Sequence, residues 1–484
     1  MKSLLTLSAI LILYSLDLFA QWQPDVRLTN DPANSNTSIN HAWSMTTSGS
    51  VVHVVWWDDR DGNYEIYYKR STDGGISWGT DTQLTNNSAT SRYPSVSVFG
   101  SVVHVVWEDD RDGNYEIYYK RSTDGGISWE ADTRLTNNSA YSLNPSGAVS
   151  GSDVYVVWSE DRDGNNEIYF KRSTNDGVSW EADTRLTNNS ADSYYSSVSV
   201  SGSVVLVLWN DNRDANYEIY CKRSTDGGIS WGTDTRLTDN SAFSRYPSVS
   251  VSGSVAHVVW EDFRDANFDT YYKRSTDGGI SWGTDKRLTI DSADSYHPTV
   301  SVSGSSADGG VHVVWQDNRD GNSEIYYKRS TDAGISWESD IRLTNDFSTS
   351  VKVSLSISGQ VVHVVWQDNR DGNYEIYYKR NPTGNVTGIE NISLEFPEKF
   401  MLEQNYPNPF NPSTTIHFSV PTSEFVTLKV FDVLGNEVAT LVNEEQPAGN
   451  YEIEFSPAGL SSGIYFYKLH AGSFVKTKKM ILIR

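Results

Sequence analysis

A short polar sequence recurs seven times along the chain, as in the string DDRDGN that ends at Asn63. Each copy contains Arg followed by Asp, with Asn two residues later. Guanidinium and carboxylate groups in such loops could recognise sugars or peptides. The alternative is structural, because Asp and Arg can brace a turn that Gly and Asn make. The candidate binding residues in these loops are Arg60, Asp61, Arg111, Asp112, Arg162, Arg213, Arg264, Arg319 and Arg370.

A calcium site is a further alternative for the same loops. Asp59, Asp61, Asn63 and Glu65 alternate as in some calcium-binding loops. Phe263 interrupts that spacing in the fifth copy, and successive residues of a hairpin turn point apart. We therefore predict no metal site.

Histidine and cysteine give no stronger indication of chemistry. His53 and its four equivalents lie on separate predicted strands, too far apart to share one metal ion. The third and fourth copies have Tyr155 and Leu206 at this position, so packing explains it. Cys221, the single cysteine, replaces a tyrosine of the other copies and is interpreted as a packing variant. No phosphate-binding loop or serine–histidine–aspartate pattern occurs, and no cofactor is predicted.

The polar loops belong to a repeat with a period of 51 residues, lengthened once to 55. Each copy contains four predicted strands: one of alternating Val and Ser, the apolar run HVVW, the alternating EIYYKRS, and DTRLTN. Four short strands in each repeat of this length indicate a β-propeller blade. The sequence predicts an all-β fold with a seven-bladed propeller. The apolar runs end at Trp56, Trp107, Trp158, Trp209, Trp260, Trp315 and Trp366.

The two ends of the repeat predict how the propeller closes. The last copy stops at Arg380 without a fourth strand, whereas residues 22–30 hold a fourth strand that precedes every other strand. We expect this N-terminal strand to complete blade seven. Such pairing leaves no free sheet edge at the seam.

One face of the propeller gathers the candidate binding residues. In a four-stranded blade, the loops between the second and third strands share a face with the segments that join blades. Aromatic residues of those segments would surround the mouth of the central channel, beside the RDGN loops, and suit sugar or peptide recognition. The candidates in these segments are Tyr93, Tyr195, Arg245, Tyr246 and Tyr296.

A second motif, Ser-x-Asp-x-Gly-x-x-Trp, follows the third strand. In the first copy it consists of Ser71, Asp73, Gly75 and Trp78. The Asp can accept backbone N–H bonds, the Gly permits positive φ and the Trp fills the hairpin. The third copy has Asn175 in place of the Asp, and the seventh copy lacks the motif. Further members are Asp124, Trp129, Asp226, Trp231, Asp277, Trp282, Asp332 and Trp337.

This motif resembles the Asp-box, or bacterial neuraminidase repeat, of the sialidase-like propellers. The resemblance implies that Asp-boxes stabilise hairpins on the face away from an active site and do not catalyse. Sialidases of this family use three Arg, a Tyr–Glu pair and an Asp from different blades, with a Phe/Tyr-Arg-Ile-Pro element that is absent here. Near-identical copies leave little room for so asymmetric a centre, and no catalytic residue is assigned.

Composition and the N-terminus restrict the possible partners and location. Asp and Glu number 62 against 39 Lys and Arg, a net charge of −23, so nucleic acid is not expected as a partner. Lys2 and the apolar run that follows predict a signal peptide over residues 1–20. We expect a monomeric mature chain that has no transmembrane span.

The sequence changes character after the predicted propeller, residues 21–380. Residues 381–395 form a linker rich in turn formers, and residues 396–484 predict a small Ig-like β-sandwich. The strings NYPNPFNP (405–412), GIY (463–465) and KKMILIR (478–484) closely resemble the type A C-terminal sorting domain of the type IX secretion system. The resemblance implies that the secretion machinery recognises residues 396–484 as its partner.

Three functions are compatible with these observations. The leading hypothesis is an exported extracellular or cell-surface binding module that recognises a glycan or another polymer on the face of the RDGN loops. The alternatives are a sialidase-type exo-glycosidase and a non-catalytic structural protein or adhesin.

Overall fold

The computed structural model describes residues 22–38, 44–303, 310–383, 399–402, 404–405, 407–421, 424–446, 449–457 and 459–483. These residues contain strands and no helix, which confirms the all-β prediction. The described residues contain no helix that could cross a membrane. The chain divides into two compact units, residues 1–388 and 389–484, which are described separately. The predicted signal peptide lies outside the described residues.

Seven antiparallel sheets make up the described part of the first unit, and each is built mainly from one copy of the repeat. We number the sheets 1 to 7 by their second strands, in chain order. The second strands are Val51–Asp58, Val102–Asp109, Asp153–Glu160, Val204–Asp211, Val255–Asp262, Val311–Asp317 and Val361–Asp368. The third strands are Glu65–Ser71, Glu116–Ser122, Glu167–Ser173, Glu218–Ser224, Asp269–Ser275, Glu324–Ser330 and Glu375–Asn381.

The first strands of neighbouring sheets contact one another, and the fourth strands are only two residues long. In sheet 1 two short strands, Ser35–Asn36 and Met45–Ser48, replace a single first strand. The other first strands are Ser91–Phe99, Ser142–Ser150, Ser193–Ser201, Ser244–Ser252, Ser295–Val302 and Ser350–Ser358. The fourth strands of sheets 1 to 6 are Thr82–Gln83, Thr133–Arg134, Thr184–Arg185, Thr235–Arg236, Lys286–Arg287 and Ile341–Arg342.

The fourth strand of sheet 7 comes from the other end of the unit. Val26–Arg27 pairs antiparallel with the third strand of sheet 7, where Val26 lies opposite Tyr378. Asp25 contacts Arg370 at 2.8 Å. The Trp22 ring lies edge-on to Tyr327 of sheet 6, with ring centroids 5.0 Å apart. The N-terminal segment thus fills the place that residues after the third strand fill in the other sheets.

The second strands form the core because both of their faces are covered. Val52, Val54, Val55 and Trp56 are all fully buried, which explains why the sequence here is a continuous apolar run. The tryptophan of each second strand also satisfies its N–H within the sheet. In sheet 2, Trp107 Nε1 donates to the carboxylate of Asp109 at 3.0 Å.

Each Asp-box hairpin packs on the preceding sheet. The Trp129 ring lies edge-on to Tyr68 of sheet 1, with centroids 4.9 Å apart. Gly126 has a φ of +82°, and a Cβ on it would lie 2.0 Å from the Tyr68 hydroxyl oxygen. Only glycine satisfies both the backbone conformation and this close approach. Gly75 of sheet 1 makes the same approach to Tyr378 of sheet 7.

The second unit contains two sheets with one shared hydrophobic core. The three-stranded sheet has the order Met401–Leu402, Thr414–Val420 and Gly449–Phe455. The four-stranded sheet has the order Glu437–Gln446, Glu424–Phe431, Gly463–Ala471 and Phe474–Leu482. Buried side chains from both sheets meet in the core: Ile416, Phe418, Val426, Leu428, Tyr467, Leu469 and Met480.

The Asn- and Pro-rich string of the second unit is bound to the last two strands. Asn405 is buried, and its backbone N–H donates to the Tyr467 hydroxyl at 2.8 Å. Phe410 is also buried, and its N–H donates to the carbonyl of Ile481 at 2.9 Å. Asn408 accepts the N–H of Ile481 at 2.9 Å. The strings that resemble a sorting domain therefore contact one another in the folded unit.

Candidate functional site

The arginine of each RDGN loop is held within its own sheet. Arg60 contacts the carboxylates of Asp58 at 2.6 Å and Asp81 at 2.9 Å, and its guanidinium lies 4.3 Å from the centre of the Tyr67 ring. In sheet 3, Glu160 takes the place of the first Asp. These contacts support the turn-bracing interpretation. Equivalent contacts are made by Arg111, Arg162, Arg213, Arg264, Arg319 and Arg370.

The neighbouring aspartates also bind groups of their own sheet. Asp61 accepts a hydrogen bond from the Tyr67 hydroxyl and another from Gln83 Nε2 at 3.0 Å. Asp112 accepts the Tyr118 hydroxyl in the same way. The arginine and aspartate side chains of the RDGN loops are therefore already bound to groups of their own sheets.

The Asp-box carboxylates organise their hairpins. Asp124 accepts the hydroxyl of Ser128 at 2.6 Å and the N–H groups of Ser128 at 2.9 Å and Ile127 at 3.0 Å. These bonds stabilise the ionised form and lower the pKa of Asp124. The geometry supports the structural interpretation of this motif. The same arrangement recurs at Asp73, Asp226, Asp277 and Asp332.

A set of unusual backbone positions lies near the start of the first strands. Each first strand of sheets 2 to 7 has a β-bulge, and its central residue has positive φ, between 50° and 57°. A bulge re-aims a side chain away from the regular pleat, and left-handed conformations in larger residues are often found at functional sites. These residues are Tyr93, Asn144, Tyr195, Tyr246, His297 and Lys352.

Three of these residues from successive sheets form an aromatic row. The centroids of Tyr195 and Tyr246 are 4.7 Å apart, and those of Tyr246 and His297 are 4.9 Å apart. Next to this row is a cavity of about 410 Å³. Sheets 4 and 5 supply its walls, which are Tyr194, Tyr195, Asn210, Tyr217, Arg245 and Tyr246.

A buried ion pair lies behind the cavity. Glu261 is fully buried and accepts Arg245 Nε at 2.5 Å and the N–H of His297 at 3.0 Å. Burial raises the pKa of Glu261 to about 7, although Arg245 favours its ionised form. The arginine on the cavity wall therefore has a carboxylate partner, and that partner titrates near neutral pH.

The structure brings some of the predicted site residues together and leaves others apart. Tyr195, Arg245 and Tyr246 line the cavity between sheets 4 and 5. Tyr296 lies beside it, with its ring 5.4 Å from Phe268, and it donates to Asp294 at 2.8 Å. Tyr93 lies at the equivalent bulge of sheet 2, is not a lining residue of this cavity, and contacts the Trp57 ring of sheet 1.

Sequence reasoning missed the residue that follows each core tryptophan. This position is Trp57 in sheet 1, Glu108 in sheet 2, Asn210 in sheet 4 and Glu261 in sheet 5. It differs between copies, as the bulge position does, whereas the RDGN loops differ only by Ala in place of Gly in sheets 4 and 5. A comparison of the copies column by column, for positions that differ, would have found it.

No metal or thiol chemistry is indicated at the site. Within the described ranges, no three His, Cys, Asp or Glu side chains gather in a group that could hold a metal ion. Cys221 is buried, and burial raises the pKa of its thiol to about 12, which keeps it protonated.

Sequence comparison identifies the first unit. A family model described as a BNR repeat-like domain matches residues 9–258, slightly more than half of the chain. The chain belongs to the BNR repeat-like family. No curated protein matches its sequence closely enough to be called a relative.

The second unit is also identified by sequence comparison. A model described as a secretion system C-terminal sorting domain matches residues 404–483. Such a domain directs its protein through the type IX secretion system. This BNR repeat-like chain is therefore a secreted protein, at the cell surface or outside the cell, and its C-terminal unit interacts with the secretion machinery.

Solved structures similar to this chain include several carbohydrate-active enzymes. The polysaccharide lyase Uly1 has 8% sequence identity and a TM-score of 0.51, over 75% of this chain and 99% of its own. An α-L-arabinofuranosidase of Fusarium graminearum, in complex with arabinobiose, has 14% identity and a TM-score of 0.45, over 64% and 98%. The sialidase of Trypanosoma rangeli has 10% identity and a TM-score of 0.42, over 83% and 86%. The similarity to Uly1 concerns the fold alone.

Proposed function

We propose that the first unit is a closed seven-bladed propeller that binds a glycan at the mouth of its central channel. Closure is supported by the N-terminal strand in sheet 7 and by contacts between sheets 7 and 1. In one of these contacts, Thr47 Oγ1 donates to the carbonyl of Ile357 at 3.1 Å. The second unit, in this proposal, is an Ig-like sandwich that serves export and takes no part in glycan binding.

The observation that carries the proposal is the cavity between sheets 4 and 5. Its volume of about 410 Å³ falls within the range of small-ligand sites, which begins at about 300 Å³. Four tyrosines give flat apolar surfaces against which the C–H face of a sugar ring can pack. Asn210 and Arg245 supply amide and guanidinium groups for hydroxyls. A sugar needs this combination of apolar faces and convergent polar groups.

The proposal is tested on a glycan array with two single variants, Tyr195→Asn and Tyr246→Asn. Asparagine is chosen because Asn144 occupies the equivalent bulge in sheet 3 at a φ of 57°, so the backbone accepts it. We expect each variant to bind the glycans of the native chain several-fold more weakly than the native chain does. Stacking on one aromatic ring contributes on the order of 1 kcal/mol, enough for a several-fold loss.

The control variant is Phe347→Ala. Phe347 is fully exposed in a loop that joins two sheets, so it reports on nonspecific adhesion through aromatic groups. Phe347→Ala should bind as the native chain does. A folded Tyr195→Asn or Tyr246→Asn protein with native binding would contradict the proposal, and no binding by any protein would favour a structural or adhesive role.

A glycoside hydrolase is the second candidate, favoured by Glu261. A carboxyl group whose pKa lies near 7 can act as a general acid. Glu261 is buried, with one oxygen on Arg245 and the other on the His297 N–H, so Arg245 must move before a substrate can reach it. Glycosidases of the common type need a second carboxylate. Release of the fluorophore from a sialoside substrate, with loss of this activity in Glu261→Gln, would establish hydrolysis. No release from sialosides or arabinosides would leave binding as the function.

A further inference from the structure

Two sheets of the ring share features that no other copy of the repeat combines. Sheets 2 and 5 have the sequence Arg-Tyr-Pro at the bulge of the first strand, at residues 92–94 and 245–247. The same two sheets have Glu directly after the core tryptophan, at Glu108 and Glu261. We call Arg92, Tyr93, Glu108 and Tyr115 cluster 2, and Arg245, Tyr246, Glu261 and Phe268 cluster 5.

The two clusters have the same internal geometry. Arg92 Nε donates to Glu108 at 2.6 Å, and Arg245 Nε donates to Glu261 at 2.5 Å. Each guanidinium lies over the ring of the residue that directly precedes the third strand of its sheet. The distance to the ring centre is 4.2 Å for Tyr115 in cluster 2 and 4.3 Å for Phe268 in cluster 5.

The glutamate of each cluster has a second role. Its other oxygen accepts the N–H of the bulge residue of the next sheet, which is Asn144 for Glu108 at 2.8 Å and His297 for Glu261 at 3.0 Å. Both glutamates are fully buried. Each cluster is therefore a rigid unit that joins two sheets.

The preceding sheet supplies an aromatic ring to both clusters. In cluster 5 the Tyr246 ring contacts Tyr195 of sheet 4, and that contact lies on the wall of the cavity. In cluster 2 the Tyr93 ring contacts Trp57 of sheet 1, with centroids 5.7 Å apart. Trp57 in turn contacts Tyr64 at 4.5 Å. An aromatic surface with a guanidinium beside it therefore exists at both places.

The charges of the two clusters indicate the kind of ligand. Each guanidinium already has a buried glutamate as its hydrogen-bond partner, so less of it is available to the carboxylate of an acidic sugar. The chain as a whole has a net charge of −23, which repels polyanions. Uncharged sugars carry no such penalty and use the same rings and hydrogen-bond donors.

We infer that cluster 2, with Trp57 and Tyr64, is a second glycan site, and that the chain binds one uncharged polysaccharide at clusters 2 and 5 together. This inference rests on the proposed function of the cavity beside cluster 5. Two sheets separate clusters 2 and 5 on one side of the ring. A polymer can contact both clusters at once, whereas we expect a trisaccharide to occupy one of them at a time.

Two linked sites raise the affinity for a polymer without any new contact. The second site binds at the effective concentration set by the polymer between them, and gains of about a hundredfold are common. A trisaccharide gains nothing and instead binds twice. The number of trisaccharides bound per chain and the gain in affinity for the polymer therefore distinguish a chain with two sites from a chain with one.

The test uses the full mature chain, with dextran, xylan, galactomannan and β-1,3-glucan as probes, each as a polymer and as its trisaccharide. Hyaluronan serves as the acidic probe. Titration calorimetry measures stoichiometry and affinity for the native chain, Tyr93→Asn, Tyr246→Asn and Phe347→Ala. Asn144 shows that the bulge accepts asparagine, and thermal unfolding checks each fold.

We expect two trisaccharides per native chain, one for each single variant, and a loss of polymer affinity of about tenfold or more in both variants. Phe347→Ala should retain the native values. If Tyr246→Asn abolishes binding while Tyr93→Asn changes nothing, the inference fails and the proposed function stands. If no polymer binds the native chain, the proposed function fails. Preference for hyaluronan would overturn the choice of an uncharged ligand.

Discussion

A buried pair of side chains links the second and third strands of every sheet. Where one residue of the pair differs between sheets, the other differs too. In five sheets a histidine of the second strand hydrogen-bonds a tyrosine of the third, as His104 Nδ1 does with the Tyr119 hydroxyl at 2.8 Å. Sheet 3 has Tyr155 and Phe170 there, and sheet 4 has Leu206 and Cys221. Where the histidine is lost, its tyrosine partner is lost too, which avoids a buried hydroxyl with no partner.

These histidines predict sensitivity to acid. Burial lowers the pKa of His53 to about 4 and that of His104, His257, His312 and His363 to about 3, against 6.5 in an unfolded chain. The unfolded chain therefore binds more protons below pH 6.5. We expect stability to fall as the pH falls from about 6.5 towards 4, with each histidine adding about 1.4 kcal/mol per pH unit.

The double variant His104→Leu with Tyr119→Cys isolates one histidine, because it copies the pair of sheet 4. Its urea unfolding curves between pH 7 and 4 should show a shallower loss of stability than those of the native chain. Equal slopes for the two proteins would contradict the assignment of the acid sensitivity to these pairs.

Glu261 predicts the opposite dependence in part of the same pH range. Its pKa is raised from 4.5 to about 7 by burial, while Arg245 lowers it and Asp294 adds to the rise. The folded chain thus holds a proton that the unfolded chain has released, and stability falls as the pH rises from about 4.5 to 7. Across this window the native chain should lose about 3 kcal/mol that Glu261→Gln retains.

The measurement is the difference in unfolding free energy between the native chain and Glu261→Gln as a function of pH. A difference that grows from pH 4.5 to 7 and is then constant agrees with the prediction. A constant difference at every pH would mean that Glu261 ionises in the folded chain as it does in water.

At the scale of elements, the Asp-box hairpin holds neighbouring sheets together through glycine. Gly126 and Gly113 both have positive φ, +82° and +97°, but only Gly126 lies against another side chain. We expect Gly126→Ala to lower the melting temperature more than Gly113→Ala does. Positive φ costs each alanine about 1 kcal/mol, and the clash with Tyr68 adds about 1–3 kcal/mol at Gly126. Equal melting temperatures for the two variants would show that the hairpin moves away from Tyr68 without a loss of stability.

The strands could be predicted from the sequence because their periodicity is strict, but the fourth strand is shorter than its sequence suggests. DTRLTN pairs as a strand over two residues only, as in Thr82–Gln83. Two residues after this strand ends, the Thr85 hydroxyl accepts the N–H of Ile66 at 2.8 Å, in place of a backbone carbonyl. Strand propensity contains no information about such a side-chain substitute.

The candidate site was harder to predict than the fold for a related reason. Repetition made the RDGN loops conspicuous, yet Arg60 and its equivalents are bound within their sheets. Tyr195, Arg245 and Tyr246 were recognised from the aromatic segments between sheets. Asn210 and Glu261 were missed because they lie near the ends of strands that are otherwise apolar runs, and the sequence does not show that each accepts the N–H of a bulge residue in the next sheet.

At the scale of the whole molecule, the N-terminal strand that pairs with sheet 7 leads to a prediction: a separate peptide with this strand should complete the first unit. A chain that begins after residue 30 lacks Trp22, Asp25 and the strand that pairs with residues 375–381. We expect it to be less stable and to associate through that open edge. A peptide of residues 22–32 should restore the native melting temperature, because it supplies the missing backbone pairing and the contacts of Asp25 with Arg370.

The matched control is the same peptide with Trp22→Ala and Asp25→Ala, which keeps the backbone and removes both side-chain contacts. It should restore stability less well than the native peptide. A truncated chain as stable and monomeric as the native chain would show that the seam strand is dispensable.

The pairing of Val26 with Tyr378 has a consequence for biogenesis. Val26 and Tyr378 are far apart in the sequence, so nearly all copies of the repeat must be synthesised before these two strands can pair. A shorter nascent chain lacks the third strand of sheet 7, so its N-terminal strand has no partner and the fold of the first unit stays incomplete.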